Sequence, residues 1–373
     1  MNRRPQKSRS SYDAFAPSHM TRFKASSPDS TFFERRKRRS PGMAILRAAA
    51  LLLTAALVVN FVSNLFVHVE RVSVPVTGLT QEFDGYTILH ISDLKGAAFG
   101  RDQSRLIGAV EDEKIDAVIL TGDMVSPLGD AQPLYALLEA LKSELPGTPV
   151  YFIAGDSDPA PASMEHASGG SPFAPWVLGA QQRGAQLLSA PQPITRENKT
   201  IWLTTGAQLT LDLDTMQKQY EQSYLRALGS GDENEIELAA YHLTALEDTR
   251  SARETMTMDD VYITLSHVPS AKGELALNPD SLIGQIDLQL CGHYLGGLIR
   301  LPLIGPVFVP SQSLPLYGLF PGSAFCSGLT REGRTWVYTS PGLGASDPLY
   351  PAFFFRLFNP PTVTLITLTP SAL

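Results

Sequence analysis

Five short apolar runs in this chain each lead into a residue able to bind a metal. "YTILHIS" leads into Asp93, "DAVILTG" into Asp123, "PVYFIAG" into Asp156, "VYITLS" into His267 and "DLQLCG" into His293. Runs rich in Val, Ile, Leu and Tyr, bounded by turn residues, read as buried strands. A single strand-terminal Asp means little, because Asp often begins a turn. A single His is usually an ordinary core or surface residue. Five such ends, three after Gly and two after Ser, instead point to one convergent site.

Between the first three runs lie helical patterns, "RDQSRLIGAVEDE" and "QPLYALLEALKSEL". Strand–helix–strand alternation implies an α/β fold with a largely parallel sheet. Ligands of such sheets bind beyond the carboxyl ends of the strands, where these five residues stand. Residues 158–250 read differently, as a loop, two or three strands and then two helices. With 373 residues, 43% apolar and 18% charged, the chain can bury a sizeable core.

The net charge of −7 hides an asymmetry. Residues 1–42 carry 11 Lys and Arg against three Asp and Glu, a net of +8, which leaves −15 on the rest. An acidic body argues against nucleic acid as a partner. The first 42 residues, rich in Ser, Pro and Arg, are expected to be a disordered tail. Residues 43–67 follow, with no charge from Ala48 to Val67, which is long enough to cross a bilayer as a helix. No small-residue cleavage site follows the run, so an anchor is expected rather than a signal peptide. The basic cluster before it places the N-terminus in the cytoplasm and residues 68–373 outside, in the periplasm or extracellular space. "VERVSVPV" then begins a strand almost at the membrane, so the outer domain sits on a short tether. The aromatic run "YPAFFFRLF", residues 350–358, is expected to pack in the core, contact with the bilayer being the alternative. Cys291 and Cys326 are expected as small core hydrophobes, although outside the cytoplasm they could pair.

In "HISDLKG", Asp93 is followed two residues later by Lys95. Alternate residues of an extended chain face the same way, so a carboxylate and an ammonium can share one pocket. The pair is either a surface ion pair or the altered remains of a metal site.

These blocks resemble the calcineurin-like metallophosphoesterases, in particular the membrane-anchored bacterial branch, over roughly residues 69–373. The family's motifs are D-x-H, G-D, G-N-H-D, a lone H and G-H-x-H. Here they stand as Asp93-Leu-Lys95, Gly122-Asp123, Gly155-Asp-Ser-Asp158, His267 and Gly292-His-Tyr-Leu295. The resemblance implies two packed sheets flanked by helices, with the site at strand ends, preceded here by one transmembrane helix. In the family two metals are bridged by the Asp of G-D. Carried over, the first metal keeps Asp93 and Asp123 but loses its two imidazoles to Lys95 and Leu295. The second keeps Asp123, His267 and His293, with Asp156 in place of Asn. The His that assists the leaving group is Ser157.

Three carboxylates would bring −3 into one pocket, and one divalent ion with Lys95 would bring +3. Lys95 is therefore expected to act in the site as a fixed cation in place of the first metal. The ligand set of Asp123, Asp156, His267 and His293, with Asp93 nearby, suits one manganese, zinc or iron ion, or none if the site is degenerate. The function implied is a weak single-metal phosphoester hydrolase at the membrane. The alternative is an inactive member that binds a phosphate-bearing small molecule, a lipid headgroup or a protein.

Overall fold

The computed structural model describes residues 41–164, 171–271, 273–276, 282–309, 318–322, 326–345 and 356–371. Nearly all of the basic tail, and the start of the aromatic run at 350–358, lie outside these residues. The chain divides into two units, Met1–Leu52 and Leu53–Leu373.

The first element is helix α1, Pro41–Ser63, which has no buried residue and is long and apolar enough to cross a membrane. Strands β1 (His68–Val76) and β2 (Thr87–Ile91) follow, then the short helix α2 (Ser104–Ile107), β3 (Ala117–Leu120), α3 (Gln132–Glu144) and β4 (Val150–Phe152). Next come α4 (Pro175–Gln182), β5 (Ala185–Leu187), β6 (Gln192–Arg196), β7 (Lys199–Thr205) and α5 (Gly206–Thr210). The antiparallel helices α6 (Leu213–Ser230) and α7 (Glu233–Thr255) precede β8 (Val261–Leu265) and β9 (Ile286–Cys291). The last strands are β10 (Ile299–Leu301), β11 (Gly305–Phe308), β12 (Gly328–Glu332), β13 (Thr335–Thr339) and β14 (Thr362–Pro370).

The two helical patterns expected between the early strands had different fates. Residues 132–144 form α3, whose Leu134, Leu137, Leu138 and Leu141 make a buried stripe at helical spacing. Residues 101–113 yield a three-residue 3-10 turn, Arg101–Gln103, and the four-residue α2. Asp102 and Gln103 adopt φ values of 51° and 59°, which no continuous right-handed helix accommodates. The helices expected near the middle of the chain are α6 and α7, each N-capped by an Asp side chain, Asp212 and Asp232.

The strands form two six-stranded sheets, in the orders β1-β14-β2-β3-β4-β5 and β12-β13-β9-β8-β7-β6, with β10 and β11 as a separate hairpin. Strands β2 to β5 run parallel, as do β7, β8, β9 and β13. Alternation on the strands divides the core. On β2, Ile88 faces the second sheet, where it meets Ile263, Leu288 and Tyr338 in one cluster. Leu89 and Ile91 face the other way, onto Leu106, Leu137 and Trp176 of the helical layer. Each such side chain contributes roughly 1.5–3 kcal/mol by leaving water. Cys291 and Cys326 are both buried and free.

Candidate metal centre

The carboxyl ends of β2, β3 and β4 deliver Asp93, Asp123 and Asp156, and those of β8 and β9 deliver His267 and His293. Asp156, His267 and His293 each bring one ligand atom to within 4.8 Å of the others. So do Asp93, Asp123 and His267. His267 thus belongs to both groups, and its Nε2 lies 2.9 Å from Asp156 Oδ1 and 3.2 Å from Asp123 Oδ2. His293 Nδ1 lies 3.4 Å from Asp156 Oδ2.

Lys95 is 6% exposed, and its Nζ lies 2.5 Å from Asp123 Oδ2 and 3.5 Å from Ser157 Oγ. Its ion-pair partner is therefore Asp123, deep in the site, and not its sequence neighbour Asp93. Asp93 Oδ2 instead accepts from Ser92 Oγ at 2.6 Å and from the His293 backbone N–H at 3.1 Å. Leu295, where the family has a second imidazole, is a buried apolar residue.

The glycines before the ligands have a steric reason. A Cβ on Gly155 would collide with Asp123, and one on Gly292 with Ser92 and Asp93. Only glycine lets the strand ends come this close. The backbone at the site is also unusual. Asp93, Lys95, Asp123, His293 and Leu295 all adopt positive φ, at 53°, 47°, 55°, 74° and 53°. Each such residue costs on the order of 1–3 kcal/mol and persists where the surroundings over-determine it, as they do at functional sites. Here the constraint is a weave of main-chain bonds, among them Asp93 N–H to Gly122 O, Lys95 N–H to Asp123 O and Gly344 N–H to Asp93 O.

Supporting residues that motif reading passes over hold this frame. Asp158 Oδ1 accepts from Val125 N–H at 2.8 Å and Oδ2 from Gly155 N–H at 2.9 Å, which joins two ligand loops. Burial and the Asp123 charge raise its pKa, against the two backbone donors. Thr121 O accepts from His267 Nδ1 at 2.8 Å. A carbonyl can only accept, so the proton sits on Nδ1 and Nε2 faces the carboxylates. Arg356, fully buried, donates to the carbonyls of Leu295, Pro341, Gly344 and Asn359 and so braces the loops around Asp93. The only trace of these roles in the sequence is Asp158, inside its Gly-Asp-Ser-Asp run.

The electrostatics fit one shared basin of charge. Burial alone would raise the Asp123 carboxyl, but His267 and Lys95 hold it well below the usual carboxylate range. His267 and His293 do the same for Asp156, which is half-exposed. Burial works against a charged His267, yet Asp123 and Asp156 lift its pKa well above the ordinary value.

The residues fit a divalent ion. His267 Nε2, close to two carboxylates, and Asp93 Oδ1 are buried and lack a well-directed hydrogen bond among the described residues. Orphaned buried polar atoms are rare in native structures, and imidazole and carboxylate donors suit a transition metal. Asp156, His267 and His293 are the group best placed to hold it, with Asp123 alongside.

Beside His267 opens a cavity of about 580 Å³, lined by Thr205, Thr210, Ser266, Glu274 and Gln289 among others.

Comparison with known proteins agrees with this geometry. The sequence model of the calcineurin-like phosphoesterases matches residues 86–296, more than half of the chain, and spans Asp93, Asp123, Asp156, His267 and His293. Phosphodiesterase YaeI of Escherichia coli is 30% identical over 28% of this chain and 32% of its own length. The uncharacterized metallophosphoesterase YkuE of Bacillus subtilis is 30% identical over 34% of this chain and 44% of its own. The match thus spans less than half the length of either relative. A crystal structure of the phosphopantetheinyl hydrolase PptH from Mycobacterium tuberculosis aligns over 70% of this chain and 91% of its own. The identity is 12% and the TM-score 0.32. The motif order, the two-sheet fold and the family match together place this chain among the calcineurin-like phosphoesterases.

Proposed function

We propose that this protein is a membrane-tethered phosphoester hydrolase that works with a single divalent ion and a fixed lysine. One observation carries the reading: Lys95 Nζ sits on Asp123 Oδ2, the oxygen that His267 Nε2 also approaches, and His267 is at the same time grouped with Asp156 and His293. Asp123, which bridges two metals in the family, here faces an ammonium on one side. Asp156, His267 and His293 would hold the ion, which when bound lowers the pKa of a coordinated water and polarises a phosphoryl oxygen.

The chain's own residues set the limits of the chemistry. Lys95 keeps Asp123 ionised and offers a fixed positive charge to an anionic phosphoester. The Thr121 carbonyl holds His267 in the tautomer that leaves Nε2 free for a ligand. Ser157 stands where the family has an acid, and a hydroxyl has no useful pKa for protonating a leaving group near neutrality. Hydrolysis should therefore favour esters with good leaving groups and turn over slowly. The cavity beside His267 would take the organic part of a phosphate-bearing small molecule or lipid headgroup. The tether is residues 43–67, with the basic tail in the cytoplasm and the catalytic body outside. Ser157 and Leu295 also favour a second reading, a member that binds a phosphate-bearing ligand without turning it over.

The test uses the full chain in detergent, stripped by a chelator and reloaded with manganese. Elemental analysis should find about one ion per chain, as the ligand set allows, and bis(p-nitrophenyl) phosphate should be cleaved slowly. One bound ion without cleavage would favour the binding reading. Two tightly held ions would overturn the single-metal proposal.

A further inference from the structure

Residues 301–330 contain no Asp, Glu, Lys, Arg or His, in a chain that carries −15 beyond its first 42 residues. The hairpin of β10 and β11 opens this stretch. Its tip, Leu301-Pro302-Leu303-Ile304, is exposed throughout. Leu303 has φ 69°, a left-handed position that turns usually give to Gly or Asn. A bulky apolar residue held there in water needs a reason. Phe320, also left-handed and 68% exposed, extends the patch, and its N–H donates to Val307 O at 2.8 Å. The base of the ribbon is by contrast packed, through Pro306, Phe308 and Val309.

The neighbours of this ribbon say what covers it. Its free edge joins Leu357: Arg300 N–H donates to Leu357 O at 2.9 Å, and Leu357 N–H to Leu298 O at 3.0 Å. The same three-residue segment receives the last turn of α1. Asn60 Nδ2 and Asn64 Nδ2 each donate to Arg356 O at 3.1 Å, and Phe358 N–H donates to Asn60 Oδ1. Segment 356–358 thus holds the end of the apolar helix and the base of the hairpin together, while the hairpin's one charged side chain, Arg300, stays at that base, donating to Gly296 O and Ser327 Oγ. Where that helix leaves a bilayer, the hairpin stands beside the exit.

We propose that Leu301, Leu303, Ile304 and Phe320 dip into the interfacial layer of the bilayer that α1 crosses, giving the domain a second membrane contact. Apolar side chains gain by leaving water there. The tip brings no charged side chain that would have to be desolvated. Exposed apolar patches of this kind mark interaction sites. The inference rests on the reading of α1 as a membrane anchor.

The test reconstitutes the full chain carrying Leu303→Trp into vesicles of phosphatidylcholine brominated on the acyl chains. Flotation of the vesicles reads the anchor, and quenching of the introduced indole reads the hairpin. Phe320→Trp serves as a second reporter, and Leu225→Trp, exposed on α6, as the control. The chain has three tryptophans of its own, whose emission is subtracted with the unsubstituted protein. The expected result is flotation with a loss of about half of the emission added by Leu303→Trp and by Phe320→Trp, as for side chains in the headgroup–acyl boundary, and little loss for Leu225→Trp. A chain that floats with both hairpin reporters unquenched overturns the hairpin contact and leaves the anchor standing. Cross-linking of two hairpins in such vesicles, without quenching, would assign the patch to a second copy and overturn it as well. A chain that does not float overturns both readings.

Discussion

Lys95→Met keeps the length of the side chain but removes the cation that Asp123 holds. Asp123 is 1% exposed, so the variant leaves a buried carboxylate facing fewer positive charges. Removing one partner of a buried pair costs about 3–5 kcal/mol, whereas a surface lysine changes stability by no more than about 0.5 kcal/mol. Denaturant unfolding of both chains should show the larger figure, and added manganese should reduce it by filling the position the ammonium vacated, which stabilises the folded variant more than the wild type. Equal midpoints would mean that the pair contributes nothing. His90 gives a second test. It lies between the sheets, its Nε2 2.8 Å from Thr121 Oγ1 and its ring edge-on to Tyr338. Burial lowers its pKa to about 3. An unfolded imidazole titrates near 6.5. Between these values the unfolded chain binds a proton that the fold excludes, so this residue makes stability fall as pH drops below about 6.5. His90→Gln can still bond Thr121 and should remove about 2–3 kcal/mol of the loss between pH 7 and pH 4.5. Denaturation at the two pH values checks it, and an unchanged difference would show that His90 does not titrate in this way. The five strand-end residues that the fold brings together were legible in the sequence because each follows a recognisable strand. The ion-pair partner of Lys95 was not, since left-handed backbone at Asp93 and Lys95 breaks the alternation that pairs side chains two residues apart.

At the scale of elements, periodicity found what is regular and missed what the local backbone forbids. Leucines at helical spacing gave α3, but the equally helical pattern at 101–113 collapsed to one turn at two left-handed residues. The parallel strands were readable as apolar runs. The insertion of β14 between β1 and β2 was not, because a partner so distant in sequence leaves no local trace. Nor does the uncharged run to Val67 reveal that α1 stops at Ser63, where the side chains of Asn60 and Asn64 bond the 356–358 backbone. Asn60→Leu with Asn64→Leu lengthens the apolar face but removes the helix's bonds to Arg356 O and Phe358 N–H. Each orphaned backbone group costs about 1–3 kcal/mol. Hydrogen exchange at Phe358 should quicken by at least about tenfold, the factor that corresponds to about 1.4 kcal/mol. Unchanged protection would mean that the helix end only rests against the domain.

For the whole molecule, charge distribution fixes the topology to be tested. The +8 tail lies directly before an uncharged run, and Arg71 is the first basic residue after it apart from His68. Lys and Arg flanking a span stay in the cytoplasm. A body of −15 also has little affinity for the anionic inner leaflet, so nothing in its composition opposes export. The expected arrangement leaves residues 68–373 accessible from outside. Protease added to intact cells, or to spheroplasts where an outer membrane intervenes, should digest the domain and spare an epitope placed in residues 1–42. The reverse pattern, with the domain protected until lysis, would turn the molecule round. Its candidate metal centre would then face the cytoplasm, and lipid or envelope phosphoesters outside the cell would no longer be within its reach.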